Sequence, residues 1–210
     1  MKWKKHSNWE DYIIVHKGVL PRNLCKEIEN ETLKLMKENQ RIQKYMLTDF
    51  DPSIENDFFK DVTKMCKTIF DPYYYEYAQK FGITYGTLKY DSLSITLYCD
   101  GSGKDMHYDS EILTTDGRTG DHGPVGASCP VTPADEYGGG ELVFPNQNFK
   151  FKPDAGDLVL FPSNFLYPHE VTTINDNRVC VFPYYYVDIP DHSCAEDNLD
   201  IKRKERFSDY

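Results

Sequence analysis

Apolar residues in the first eighty or so positions recur at helical spacing, and beyond them they fall into short strand-like runs. Tyr12-Ile13-Ile14-Val15 reads as a short strand. A helix is expected from Pro21, a favoured first-turn residue, to about residue 40, with Leu24, Ile28, Leu35 and Met36 on its apolar stripe. A second helical region follows Asp51-Pro52-Ser53, where Phe58, Val62, Met65, Cys66 and Ile69 hold the 3.6-residue period. Pro72 is expected to interrupt it, with a resumption from Tyr75 to Lys80 and a stop at Gly82. After Thr84 the apolar segments 93–98, 141–144, 157–161 and 178–186 are separated by turn residues. Such spacing predicts a sandwich or barrel of short strands, with the helices against one face. The stretch 114–137 is rich in Gly and Pro and reads as one long loop. Within it, Pro130 and Pro133 argue against a central strand. The loop would start near any site built on residues 98–109, so two readings stand side by side: a lid that orders over a substrate, or a disordered surface insertion.

At 210 residues one domain is expected: helical support over about 1–83, a β core over about 84–190, and a polar tail over about 191–210. The net charge of −10 and a pI near 5.0 disfavour nucleic acid as a partner. The basic clusters at Lys2, Lys4, Lys5 and at Lys202, Arg203, Lys204, Arg206 read as solvated tails. Six cysteines without a Cys-x-x-Cys pair exclude zinc knuckles and thioredoxin-type chemistry. Ile13-Ile14-Val15 is too short for the apolar part of a secretory signal, and no run approaches the roughly 20 residues of a membrane span. A reducing cytoplasm is the expected compartment, with no membrane partner; the oligomeric state is left open.

His107, Asp109 and His169 carry the candidate chemistry. On a strand, residues i and i+2 point to the same face, so His107 and Asp109 can reach one metal while Tyr108 points away. His169 lies just beyond the apolar run 157–162 and can be supplied by a neighbouring strand. Two His and one carboxylate leave positions open on non-heme Fe(II) for a cosubstrate and O₂. Alone, a His-x-Asp triplet is a weak signal. His6, His16, His122 and His192 have no partner at ligand spacing. Gly138-Gly139-Gly140 lacks the lysine and helix of a phosphate loop and reads as a turn. The Tyr73-Tyr74-Tyr75 and Tyr184-Tyr185-Tyr186 triplets read as core or sheet-face packing.

Tyr137-Gly138-Gly139-Gly140-Glu141-Leu142-Val143-Phe144, then Ala155-Gly156-Asp157-Leu158-Val159-Leu160-Phe161-Pro162, stand in order between His107-x-Asp109 and His169…Arg178. Over roughly residues 85–187 the chain resembles the Fe(II)/2-oxoglutarate-dependent dioxygenases of the prolyl 4-hydroxylase-like branch. The resemblance implies an α+β, mainly β fold: a double-stranded β-helix (jelly roll) core with supporting N-terminal helices. It implies His107, Asp109 and His169 as iron ligands and Arg178 as partner of the distal carboxylate of 2-oxoglutarate. Many relatives carry Lys at that position. Tyr98, nine residues before His107, matches a tyrosine that contacts the cosubstrate. The turn Asn175-Asp176-Asn177 would place Arg178 on the last strand, with Arg178, Cys180 and Phe182 inward. Lys104 stands where a second aromatic is usual.

The implied activity consumes 2-oxoglutarate and O₂ on Fe(II), with ascorbate as an optional further cofactor, hydroxylates a C–H bond, and releases succinate and CO₂. A peptidyl proline or similar residue is the first substrate expected, and a free amino acid or other small molecule is the alternative. Nucleic-acid repair is disfavoured by charge, and a catalytically silent jelly-roll binding module by the intact triad and Arg178. A zinc hydrolase using the same ligands lacks a clear general base.

Overall fold

The computed structural model describes residues 8–38, 48–50, 57–83, 87–109 and 123–188. A 3₁₀ turn at Trp9–Tyr12 precedes β1 (Ile14–His16), so the expected strand is shifted toward the C-terminus. Helix α1 (Arg22–Glu38) starts directly after Pro21 and buries Leu24, Cys25 and Ile28. Strand β2 (Thr48–Phe50) separates it from α2 (Asp57–Phe81). Pro72 does not interrupt α2. The proline faces solvent, while Phe70, Tyr74 and Tyr77 around it are buried, and this packing offsets the lost backbone hydrogen bond. Tyr74 donates to the Pro183 carbonyl at 2.8 Å, and Tyr77 to the Tyr12 carbonyl at 2.7 Å. Met65, on the expected stripe, is instead 41% exposed. The helix ends at Gly82, whose φ of +69° suits glycine.

Eight further strands follow: β3 (Thr87–Tyr98), β4 (Lys104–His107), β5 (Val125–Pro130), β6 (Leu142–Phe144), β7 (Phe149–Phe151), β8 (Leu158–Pro162), β9 (His169–Val171) and β10 (Arg178–Asp188). They pair antiparallel into a six-stranded sheet ordered β1-β8-β5-β10-β3-β2 and a four-stranded sheet ordered β4-β9-β6-β7. The chain is thus mainly β, with two long helices among the described residues.

The large sheet is apolar on both faces. Ile95, Leu97, Cys129, Leu160, Val179 and Val181 pack with the helices. Their neighbours Tyr98, Val159, Phe161 and Cys180 join Leu142, Phe144 and Val171 of the small sheet in a second cluster. The alternation expected along Arg178, Cys180 and Phe182 therefore holds, although the intervening valines are buried as well.

The stretch 114–137 is not one loop. Residues 110–122 lie outside the described residues, and with them the first part, 114–122, of the proposed lid. Val125–Pro130 form β5, buried throughout and paired with β8 and β10 on its two sides. Pro130 is tolerated because it closes the strand, and its carbonyl accepts from Gly156 N at 2.8 Å.

The Ala155-Gly156-Asp157 turn ties the N-terminal segment to the sheets. The buried Asp157 carboxylate accepts from Gly18 N at 3.0 Å and Lys17 Nζ at 2.8 Å. Gly156 has φ +84°, and a Cβ there would strike the Leu20 carbonyl, so the close approach needs glycine.

Candidate metal centre

The metal-ligand candidates converge at one end of the space between the sheets. His107 ends β4 and His169 begins β9, and the two are direct cross-strand partners with ring centroids 4.4 Å apart. Asp109 sits two residues past the end of β4. Its Oδ1 lies 3.5 Å from Nε2 of each histidine, and the three ligand atoms fall within 4.8 Å of one another. Tyr108, between the ligands, is 41% exposed but also lines the cavity over the triad, so it does not simply point away from the site.

Each imidazole is already oriented. His107 Nδ1 lies 2.7 Å from the Asp105 carbonyl, and His169 Nδ1 lies 3.2 Å from that of Tyr167. A carbonyl only accepts, so Nδ1 is the hydrogen-bearing nitrogen of each neutral ring, and in that form Nε2 offers its lone pair to a metal. Burial disfavours the charged form of both rings. At His107 the hydrogen bonds to Asp109 and the Asp105 carbonyl outweigh burial and hold its pKa above the ordinary value. At the more deeply buried His169 desolvation prevails, and its pKa lies below. Phe161 meets the His169 ring edge-on at 4.6 Å, and Phe144 packs on it at 5.2 Å.

A cavity of about 410 Å³ opens over the triad, within the ordinary range of small-molecule sites (~300–1,000 Å³). Tyr98, Lys104, Gly126, Phe161 and Tyr184 are among its walls. Arg178 is 1% exposed and does not itself line the cavity; Tyr98, its cross-strand partner, does. The guanidinium lies over the rings of Tyr98 at 5.3 Å and Tyr137 at 5.7 Å. It donates to the Gly140 carbonyl at 3.4 Å, while its Nε is buried without a hydrogen-bond partner. A guanidinium stays charged and offers five donors, so this one retains unused capacity for a carboxylate.

Sequence reasoning missed Gly126. A Cβ at this position would collide with Asp109 Oδ2 and with the ring of Phe161. Glycine in β5 therefore makes the space in which the carboxylate sits. Gly126→Ala is expected to displace Asp109 and to push Phe161 toward His169, weakening metal binding by roughly 10–100-fold, as loss of a ligand-orienting contact does. Calorimetric titration with Co(II) checks this, and unchanged affinity would mean that the carboxylate can move without cost. Tyr184 was also expected to pack as structure, yet it lines the cavity; Tyr185, one step along, is buried against Tyr74 with ring centroids 3.7 Å apart.

The sequence profile of the 2OG-Fe(II) oxygenase superfamily matches residues 93–186, the span that contains the triad, Tyr98 and Arg178. The match covers a little under half of the chain. A PKHD-type hydroxylase of Phenylobacterium zucineum is 35% identical over 89 residues, 40% of this chain and 38% of that protein. The chain spans between 34% and 38% of the length of the curated relatives it matches. Among solved structures, a viral collagen prolyl hydroxylase from Paramecium bursaria Chlorella virus-1, determined with 2OG, aligns over 84% of this chain and 97% of its own, with TM-score 0.61 and 15% identity. A prolyl hydroxylase from Trichoplax adhaerens, in complex with a hypoxia inducible factor peptide fragment, aligns over 84% of each chain with TM-score 0.65 and 16% identity. These neighbours share the fold of this chain.

The residues present fit the cofactors of the superfamily. Two Nε2 lone pairs and a carboxylate suit Fe(II) with open positions. The buried guanidinium with an unpartnered Nε suits a dicarboxylate cosubstrate.

Proposed function

We propose that this protein is an Fe(II)- and 2-oxoglutarate-dependent hydroxylase built on a jelly-roll core, acting on a C–H bond of a peptidyl proline or similar residue. The observation that carries the proposal is the convergence of His107, Asp109 and His169 on one point in the cavity wall. When bound, Fe(II) with 2-oxoglutarate and O₂ supplies the oxidant, and succinate and CO₂ leave.

The residues have separate tasks in this reading. His107, Asp109 and His169 hold the metal, and the Asp105 and Tyr167 carbonyls keep both imidazoles in the binding tautomer. Arg178 binds the distal carboxylate of the cosubstrate, and Tyr98, between guanidinium and cavity, positions it. Phe161, Leu142 and Val171 make that part of the wall apolar and exclude water from the reacting atoms. No protein nucleophile is needed.

A peptide substrate is supported by the neighbours, one a collagen prolyl hydroxylase and one a prolyl hydroxylase with its peptide. The five described cysteines are buried thiols with no disulfide between them, which supports a reducing compartment such as the cytoplasm. The test is incubation of the Fe(II)-loaded protein with 2-oxoglutarate, O₂ and ascorbate against proline peptides and free amino acids. Succinate above the metal-free control, stimulated by one class, and a product heavier by one oxygen atom are expected. Absence of succinate above that control with every substrate would overturn the proposal.

A further inference from the structure

Strict alternation along β4 would put residues 105, 107 and 109 on one face and Lys104 on the other. The strand is not regular. Lys104 pairs with Val171 and His107 with His169, so three steps on β4 match two on β9. This is a bulge, which re-aims a side chain. In consequence Lys104 and His107, three residues apart, both line the cavity.

Lys104 is half-buried there, beside the apolar walls from Leu142 and Val171. Among the described residues of the lining it is the one Lys or Arg, and Asp109 is the one carboxylate. Asp109 belongs to the triad, and the described residues show no hydrogen bond or ion pair to the Lys104 ammonium. The charges of Fe(II) and Arg178 balance those of Asp109 and the cosubstrate dianion, and the lysine is left over. An ammonium partly withdrawn from water next to apolar walls attracts an anion more strongly than one in bulk solvent.

We propose that Lys104 is a specificity residue that receives a carboxylate of the substrate. The proposal rests on the hydroxylase reading and narrows its substrate class to molecules with an acid group near the oxidised carbon. Two sources offer that chemistry: an acidic side chain next to the target residue of a peptide, and the α-carboxylate of a free amino acid.

The test uses Zn(II)-loaded protein saturated with 2-oxoglutarate, so that binding is read without turnover. The probes are three blocked proline peptides that differ only in the residue after proline (Asp, Asn or Lys), and free L-proline with its amide. Calorimetric titration should show one acid-bearing probe binding on the order of 10-fold more tightly than its neutral partner. Which pair shows the difference identifies the carboxylate source. Lys104→Met should erase the preference, Lys104→Arg should keep it, and Lys104→Glu should turn it toward the Lys peptide. No acid preference in the unaltered protein, or a preference that persists in Lys104→Met, overturns the proposal. So does a loss of 2-oxoglutarate affinity of similar size in Lys104→Met, because the lysine would then hold the cosubstrate. Succinate formation by the Fe(II) protein, followed in parallel, separates the two ideas. If succinate never forms while the preference follows Lys104, the hydroxylase reading fails and the carboxylate site stands.

Discussion

Replacing His107, Asp109 or His169 with Ala is expected to reduce metal-dependent succinate formation to background. A four-ligand structural zinc site is worth roughly 10–16 kcal/mol, so one ligand accounts for a few kcal/mol and its loss weakens metal binding on the order of 10²-fold or more. The fold should survive. His107 and Asp109 are only half-buried, and neither belongs to either apolar cluster. His169 is buried between Phe144 and Phe161, so its removal leaves a void and should lower Tm by roughly 2–8 °C. Metal stoichiometry, turnover and thermal unfolding of the three variants check this. Full activity in any one of them removes that residue from the ligand set.

Arg178→Ala is expected to raise the KM for 2-oxoglutarate on the order of 10²-fold, because a desolvated, charge-assisted pair contributes a few kcal/mol. The side chain is among the largest fully buried ones, so truncation also opens a cavity and destabilises the fold. Arg178→Met keeps most of the volume without the charge and should show the same rise in KM in a protein that folds. Arg178→Lys should keep part of the affinity, since Lys offers the charge but lacks the planar fork. An unchanged KM in Arg178→Met would show that another cation holds the distal carboxylate, and Lys104 is the first candidate.

Much of the site was legible because it depends on short-range rules. The i, i+2 spacing of His107 and Asp109 and the strand start at His169 were legible from local pattern, although Asp109 lies just past the strand, and the inward alternation from Arg178 came with the family resemblance. The helices were legible in extent but not in continuity. Pro72 looked like a break because the sequence does not show that the residue faces solvent while Phe70 and Tyr74 anchor the helix on the other side. β5 was lost for a related reason. Its uncharged run from Val125 to Pro130 suits a fully buried strand, but flanking glycines and prolines read as loop, and the pairing with β8 and β10 is remote in sequence. Losing β5 also hid Gly126, whose role appears only when Asp109 and Phe161 are brought to it. Lys104 was noticed as a departure from the usual aromatic, yet its place in the cavity depends on a bulge that no periodicity reveals.

The central claim is that the triad and Arg178 together form one site for Fe(II) and 2-oxoglutarate. An anaerobic titration tests it most directly, with the visible spectrum followed as the two are added to the metal-free protein. A weak charge-transfer band should appear only when both are present, saturate at one equivalent of each, be lost in His169→Ala, and need far more 2-oxoglutarate in Arg178→Met. No band in the unaltered protein with both ligands in excess, or an unchanged band in His169→Ala, would contradict the account.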